Sequence, residues 1–294
     1  MKISMHTDRL EARLGAIGAV KMIADAGFEA IEYSMYTKNL SVFSRGGRIL
    51  ATELRRIAEG RGLTFNIAHA PFSDFSPLPE DFEKNRAVYN SVCESINIAA
   101  RLGAKSIVIH PAYICPHLSA DERFEMNMEL YSRYEKVARD LGIGISIENV
   151  YRWHSPTVDK IVRGVCSDAD ELIRYSDALP SDVFGVCLDT GHAALVGENA
   201  ASMIRALGNR INHIHIHDND LQSDLHTLPY LGKSDFTAIA RAISKIGYFG
   251  DITLEADGFI KDMPNSLLPS ALLFMRSVAS HIRDEIDAFL AKRY

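Results

Sequence analysis

Short runs of apolar and β-branched residues recur along the chain, separated by longer stretches in which apolar residues return every three or four positions. The first pattern suits buried parallel strands and the second amphipathic helices, so their alternation predicts repeated βα units. Eight units can be counted. Strands are expected at 2–5, 30–33, 64–68, 106–109, 144–147, 183–188, 211–216 and 251–254, and helices near 15–26, 48–61, 82–102, 120–141, 168–178, 200–207, 235–246 and 266–290. Gly27, Gly62, Gly103, Gly142, Gly208 and Gly247 each follow an expected helix, where a left-handed C-terminal cap favours glycine. The rival arrangement, a doubly wound open sheet, reaches its nucleotide through a glycine-rich first turn, and Met5-His6-Thr7-Asp8-Arg9-Leu10 contains no glycine. No Pro/Ser-rich linker, low-complexity tract or charge block divides the chain. The expectation is an α/β fold: one closed (β/α)8 barrel over residues 1–294, ending in a long C-terminal helix.

In such a barrel the chemistry sits at the carboxyl ends of the strands, so the residues closing each strand carry the functional information. Strand three runs into His69, strand four into His110 and strand five into Glu148. Strand six gives Asp189 with His192 three residues on, strand seven carries His213, His215 and His217, and strand eight ends in Glu255. Any one of these is most simply a hydrogen-bonded rim residue. Six strands offering an imidazole or carboxylate at the same end are not explained that way. Acids and imidazoles crowded at one mouth would repel or desolvate one another, and a divalent cation removes that penalty. Mixed N/O ligation without sulfur suits Zn²⁺, Mn²⁺, Co²⁺ or Fe²⁺.

Two further features refine this picture. After strand seven come Asp224-Leu225-His226 and then Leu231-Gly232-Lys233-Ser234, and a D-x-H spacing places two ligand types on one side of an extended segment. In His213-Ile214-His215-Ile216-His217 the outer two imidazoles are roughly 13 Å apart at about 3.3 Å per residue, too far to share one ion. His215 is taken as the ligand, His217 as a rim residue and His213 as a deeper, hydrogen-bonded one. His6 and Glu32 close strands one and two and would hydrogen-bond a polyol from the rim. Phe72, Tyr113, Trp153 and Phe259 fall in βα loops, where a ring stacks on a sugar face or caps the core. Arg152 and Lys233 are candidates for a phosphate group on the substrate.

Composition narrows the classes without choosing among them. With 32 Lys+Arg against 38 Asp+Glu the net charge is −6, the wrong sign for a protein dominated by phosphate-backbone contacts, so nucleic acid is disfavoured as a partner. No stretch approaches the length of a membrane span, and no apolar leader follows Met1, which makes a cytoplasmic location the expectation. Cys93, Cys115, Cys166 and Cys187 form no C-x-x-C pair, which argues for reduced thiols rather than a thiolate zinc site or a disulfide framework.

The motifs His69-Ala70-Pro71, His110-Pro111, Glu148-Asn149, Asp189-Thr190-Gly191-His192, His215-Ile216-His217-Asp218 and Asp224-Leu225-His226 resemble those of the xylose isomerase-like barrel superfamily over nearly the whole chain. That group includes single-metal sugar isomerases and epimerases, and endonuclease IV, an apurinic-site nuclease with three zinc ions. Resemblance to the epimerase branch implies a metal held by Glu148, Asp189, His215 and Glu255, with Glu148 and Glu255 also moving protons on a ketose through an enediolate. Resemblance to the nuclease implies further ligands at His69, His110, His192, Asp224 and His226, so between one and three ions. The segments after Glu148-Asn149 and after His110-Pro111 do not resemble the nuclease. The reading is therefore a metal-dependent sugar isomerase or epimerase acting on a sugar or polyol, with a homo-oligomer compatible. Its rivals are a zinc phosphodiesterase and a metal-bound sugar-binding barrel without turnover.

Overall fold

A computed structural model of the chain describes residues 1–36, 41–72, 81–112, 118–155 and 158–292, with side chains described except at 82, 153–155 and 158–160. Eight parallel strands close into a barrel: β1 (Ile3–His6), β2 (Ala30–Ser34), β3 (Thr64–His69), β4 (Ser106–Ile109), β5 (Gly144–Glu148), β8 (Phe184–Asp189), β9 (Ile211–Ile216) and β10 (Ile252–Leu254). Each neighbours the next around the ring, and β10 pairs with β1 to complete it. All eight expected strands are present to within a residue or two. The last helix, Leu268–Ala291, is the long one expected. All six glycines expected as caps have positive φ, from 56° to 85°.

Strand alternation separates two kinds of interior. Ile3 and Met5, Ile31 and Tyr33, Ile107 and Ile109, Ile145 and Ile147, Ile214 and Ile216, and Ile252 and Leu254 join the large apolar cluster between sheet and helices. Alternate positions face the barrel axis. There the apolar contribution shrinks to a cluster of Ile67, Val108 and Cys187. Most of the remaining axial positions are polar: Ser4, His6, Glu32, Ser34, His69, Ser146, Glu148, Asp189, His213, His215, Thr253 and Glu255 are all buried. Burying so much polar surface is costly unless each group finds a partner. The site described below supplies partners for many of them, but Glu32 Oε1, Ser34 Oγ and Glu255 Oε2 have none.

Three elements depart from the sequence expectation. The first helix, α1 (Asp8–Asp25), begins seven residues before the expected start, but Gly15 interrupts it at φ 70°, ψ 164°, so the regular part does begin there. After β5 the chain forms an antiparallel hairpin of β6 (Tyr151–Ser155) and β7 (Val158–Arg163) that the pattern did not show. After β8 a six-residue helix, Thr190–Leu195, starts directly on Asp189, whose carboxylate caps it by accepting from the His192 amide at 2.7 Å. No helix of the described residues is long and apolar enough to cross a membrane. Cys93, Cys166 and Cys187 are free thiols, and Cys115 lies outside the described residues.

A buried acid lies outside the barrel axis. Glu11 on α1 accepts a hydrogen bond from the Tyr33 hydroxyl at 2.9 Å, while its second oxygen has no partner. Burial pushes its carboxyl up to about 7, against the lowering effect of that bond. Because the folded value is raised, the stability it confers is full below the unfolded value of 4.5 and is lost as pH rises through about 7. Glu11→Gln is therefore expected to stabilise the protein at pH 8 by on the order of 2–3 kcal/mol and to leave it unchanged near pH 4. Urea denaturation at the two pH values checks this, and an equal effect at both would remove the buried acid as its cause.

Candidate metal centre and active site

The strand-end acids and imidazoles meet at the carboxyl end of the barrel. Glu148, Asp189, His215 and Glu255 place one donor atom each within 4.8 Å of one another, and His69, His110 and Glu148 do the same. A third set joins His192, Asp224 and His226 with His217. All nine residues expected as ligands are thus brought together in three adjoining groups, with Glu148 common to two of them.

How the imidazoles are held matters more than their proximity. His69 Nδ1 donates to the Ala70 carbonyl at 2.7 Å, His226 Nδ1 to the Glu255 carbonyl at 2.7 Å, and His192 Nδ1 to the Asn149 carbonyl at 3.1 Å. His215 meets a carboxylate at each ring nitrogen, its Nε2 lying 2.7 Å from Glu32 Oε2. A carbonyl oxygen only accepts, so the first three bonds fix the proton on Nδ1 and turn Nε2 to the site. Three of the four rings face a second acceptor. His69 Nε2 lies 3.1 Å from Glu148 Oε2, His226 Nε2 lies 3.0 Å from Asp224 Oδ2, and His215 Nδ1 lies 2.9 Å from Glu148 Oε1 and 3.1 Å from Glu255 Oε2. A lone pair against a carboxylate is repulsive unless a proton or a metal ion stands between them.

Neighbouring acids push His69, His192, His215 and His226 up against their burial, so a second ring proton and a metal ion compete for the same place. Burial opposes charge on Glu148, but His215 and His110 overcome it and hold the carboxyl well below its usual range. For Glu255 the opposing burial is overcome by His215, His226 and His6. Asp224 is likewise held low, despite its burial, by its bond to His226. Glu255 Oε2 and Asp224 Oδ1 are buried without a hydrogen-bond donor. Ionised oxygens with unused lone pairs, beside imidazoles oriented as donors, fit a divalent metal.

The loop bearing Asp224 and His226 is tied down at its base. Asp218 accepts from the amides of Asn219, Gly232, Lys233 and Ser234 at 2.8–3.0 Å, and pairs through its backbone with Thr227. Gly232 is required here, since a Cβ would lie 2.3 Å from the Asn219 carbonyl oxygen. Asn149 plays a similar part for Asp189, donating to its carbonyl at 2.9 Å and accepting from its amide at 2.7 Å.

Above the donors lies a cavity of about 600 Å³, within the range of small-molecule sites. Its wall includes His6, Arg9, Tyr36, Phe72, Tyr151, Arg152 and Asp257. Tyr36 donates a short hydrogen bond to Glu255 Oε1, and its ring stacks on Phe72 at 5.2 Å. Burial beside Glu255 and Glu32 pushes the Tyr36 phenol well above its usual value, so it keeps its proton. Arg9 pairs with Asp257 at 3.3 Å, and His6 Nε2 lies 3.6 Å from the same carboxylate. Tyr151 donates to Asp224 Oδ2 at 2.9 Å and sets its ring against His192, so the hairpin closes one side of the mouth.

Of the five expected substrate contacts, only His6 is seen lining the cavity. Glu32 is not on the rim; it is fully buried on the axis beneath His215. His217 is also fully buried, 3.0 Å from Asp189 and stacked on His226 at 4.1 Å, because the strand carries its third imidazole on into the donor cluster. Lys233 contributes its amide to Asp218, and its exposed side chain is not part of the cavity wall. The Trp153 side chain and Tyr113 lie outside the described residues. Phe259 packs on Phe274 at 6.1 Å rather than on the cavity. Sequence reasoning missed Tyr36, Tyr151, Asp218 and Asp257 as site residues, and gave Asn149 no role. Tyr36 had a usable signal, since it follows strand two by only two residues.

The chain matches the family model of the xylose isomerase-like TIM barrel over residues 20–278. It belongs to that family. A D-psicose 3-epimerase of Ruminiclostridium cellulolyticum is 22% identical over 241 residues, spanning 80% of this chain and 76% of that protein. An inosose dehydratase of Clostridium beijerinckii is 24% identical, spanning 81% of each. An uncharacterised protein of Methanocaldococcus jannaschii is 29% identical, but the match spans 64% of this chain and 63% of that protein. Among solved structures, a D-tagatose 3-epimerase-like protein superposes with a TM-score of 0.77 at 22% identity, covering 98% of this chain and 99% of the other. The 3-keto-D-glucoside 4-epimerase of E. coli gives a TM-score of 0.71 at 17% identity, covering 94% and 99%.

The packing of His217 supplies a test of the donor arrangement. A Cβ on Gly191 would lie 2.0 Å from the His217 ring, so Gly191→Ala must push the ring away from Asp189 and His226. The expected cost is about 1–3 kcal/mol of stability in urea denaturation, typical of overpacking a full interior. Zinc titration of the same variant should show weakened binding. A variant as stable as the parent would mean that the ring moves freely.

Proposed function

We propose that the chain is a divalent-metal-dependent sugar isomerase or epimerase that moves a proton next to the carbonyl of a ketose or related polyol. The observation that carries this reading is the set of imidazoles whose second nitrogens are turned toward buried carboxylates. Sugar-epimerase relatives and neighbours, and a cavity of about 600 Å³ over the donors, support the choice of substrate class. In this reading Glu148, Asp189, His215 and Glu255 hold the ion, which is Zn²⁺ or Mn²⁺, with Co²⁺ or Fe²⁺ compatible with the same donors. When bound, a metal polarises a carbonyl and its neighbouring hydroxyl, which makes the adjacent C–H acidic.

The chain's own residues then divide the work. Glu255 is the better placed to exchange a proton with the substrate. Its carboxylate is held ionised, Tyr36 fixes one oxygen, and the other lacks a donor. Glu148 is the companion acid and base, although both of its oxygens are already approached, one by His69 and His110 and the other by His215. His6, Arg9 and Asp257 offer polar contacts for hydroxyl groups on the Glu255 side of the cavity. Phe72, half exposed and stacked on Tyr36, offers an apolar face to C–H groups of a sugar.

A second reading is favoured by one observation. The groups His69/His110/Glu148 and His192/Asp224/His226 adjoin the main group, as a multinuclear zinc phosphodiesterase would require. Against it, the hairpin brings Tyr151 against Asp224 and His192.

Two experiments separate these readings. The metal-loaded protein, incubated with a panel of ketoses in D₂O, is expected to wash deuterium into a carbon beside the carbonyl; Glu148→Gln and Glu255→Gln should each reduce exchange by at least about 100-fold with the fold intact by circular dichroism. Absence of exchange across the panel would count against the isomerase. Incision of an abasic-site duplex, abolished by chelator and by Glu255→Gln, would establish the phosphodiesterase instead.

A further inference from the structure

His69, His192 and His226 are anchored by backbone carbonyls, whereas the shortest contact of His215 is to a carboxylate outside the donor groups. That carboxylate is Glu32, fully buried on the barrel axis and not part of the cavity wall. Its Oε2 receives His215 Nε2 at 2.7 Å and lies 3.1 Å from His213 Nε2, which is also within 3.2 Å of Thr253 Oγ1. The sheet is irregular at both ends of this chain of contacts. Register between β2 and β3 shifts at Ile31/Glu32, and register between β8 and β9 shifts where Val186/Cys187 meet Ile211 and His213. Such irregularities re-aim side chains at the cost of ladder regularity.

A buried charge in this place needs a reason, because an apolar pair of similar volume would pack the axis at lower cost. We propose that Glu32 is a positioning residue for a metal ion: it holds the proton on His215 Nε2, turns Nδ1 toward Glu148, Asp189 and Glu255, and strengthens that nitrogen as a donor. This rests on the metal-centre reading given above. A neutral acceptor can also hold a ring proton, as backbone carbonyls do at Nδ1 of His69 and His226. The negative charge adds electron density to the imidazole and offsets the ion's own charge.

The test uses the full chain with zinc and cobalt as probes. Glu32→Gln keeps the size and an acceptor oxygen for His215 and removes the charge. Affinity for Zn²⁺, measured by competition with a chromophoric chelator, is expected to fall about 10–100-fold. The visible absorption of the Co²⁺-loaded protein is expected to shift, and the circular dichroism of the metal-free variant should match the parent. Glu32→Asp, which restores the charge, should recover part of the affinity. A Glu32→Gln protein that binds zinc as tightly as the parent, with an unchanged cobalt spectrum, overturns the proposal while leaving the metal centre standing. Failure of the parent chain itself to bind either ion overturns both. If the variants do not fold, ¹⁵N-imidazole NMR of the zinc-loaded parent decides: His215 protonated at Nε2 and ligated through Nδ1 supports the assignment, and ligation through Nε2 refutes it.

Discussion

A histidine ring can satisfy an acceptor with one nitrogen and present a lone pair with the other, and the mouth of this barrel is organised around that division. His69, His192 and His226 give their Nδ1 protons to backbone carbonyls, and His215 sets its Nε2 against Glu32. The His69 bond is to the next residue, while the other three tie the ring to a distant part of the chain. The free nitrogens of His69, His215 and His226 then converge on carboxylates that are themselves buried. Acids and lone pairs arranged this way are mutually repulsive, and a proton or a cation between them removes the repulsion.

The barrel wall makes this concentration possible. Its outward positions are isoleucine, leucine and valine packed under the helices, and they bury enough apolar surface to leave the axis free for polar residues. Only Ile67, Val108 and Cys187 form an apolar cluster of their own on the axis. A parallel barrel more often fills its axis with branched apolar layers. Here much of the axis is a polar column, running from Ser146 and His213 through Glu32 and His215 to the mouth. Part of its cost is met by pairing across strands, as between His213 or His215 and Glu32, while Glu32 Oε1, Ser34 Oγ and Glu255 Oε2 have no hydrogen-bond partner.

The sequence made the height of each residue readable, but not its direction. His69, His110, Glu148, Asp189 and Glu255 lie together at the strand ends, as expected, because a parallel strand stops where its apolar run stops. Glu32 was assigned to the rim by the same logic, yet its carboxylate lies fully buried on the axis against His213 and His215. Among the three histidines of β9, the placement of His215 and of the deeper His213 matches the structure. His217 was assigned to the rim because two residues of rise should clear the mouth, whereas the following loop folds back through Asp218 and keeps it inside. The hairpin escaped notice because Tyr151 to Arg163 contains no glycine turn between its strands, and its role depends on a contact 73 residues away, Tyr151 with Asp224.

Asp218 has an effect out of proportion to its distance from the chemistry. By gathering four amide hydrogens from both stems of the 219–234 segment, one carboxylate fastens the loop at its root. The stretch 220–223 can therefore vary in composition while the donors at 224 and 226 keep their pose. Two residues that look like mobile surface positions in the sequence are, in mechanical terms, part of the barrel.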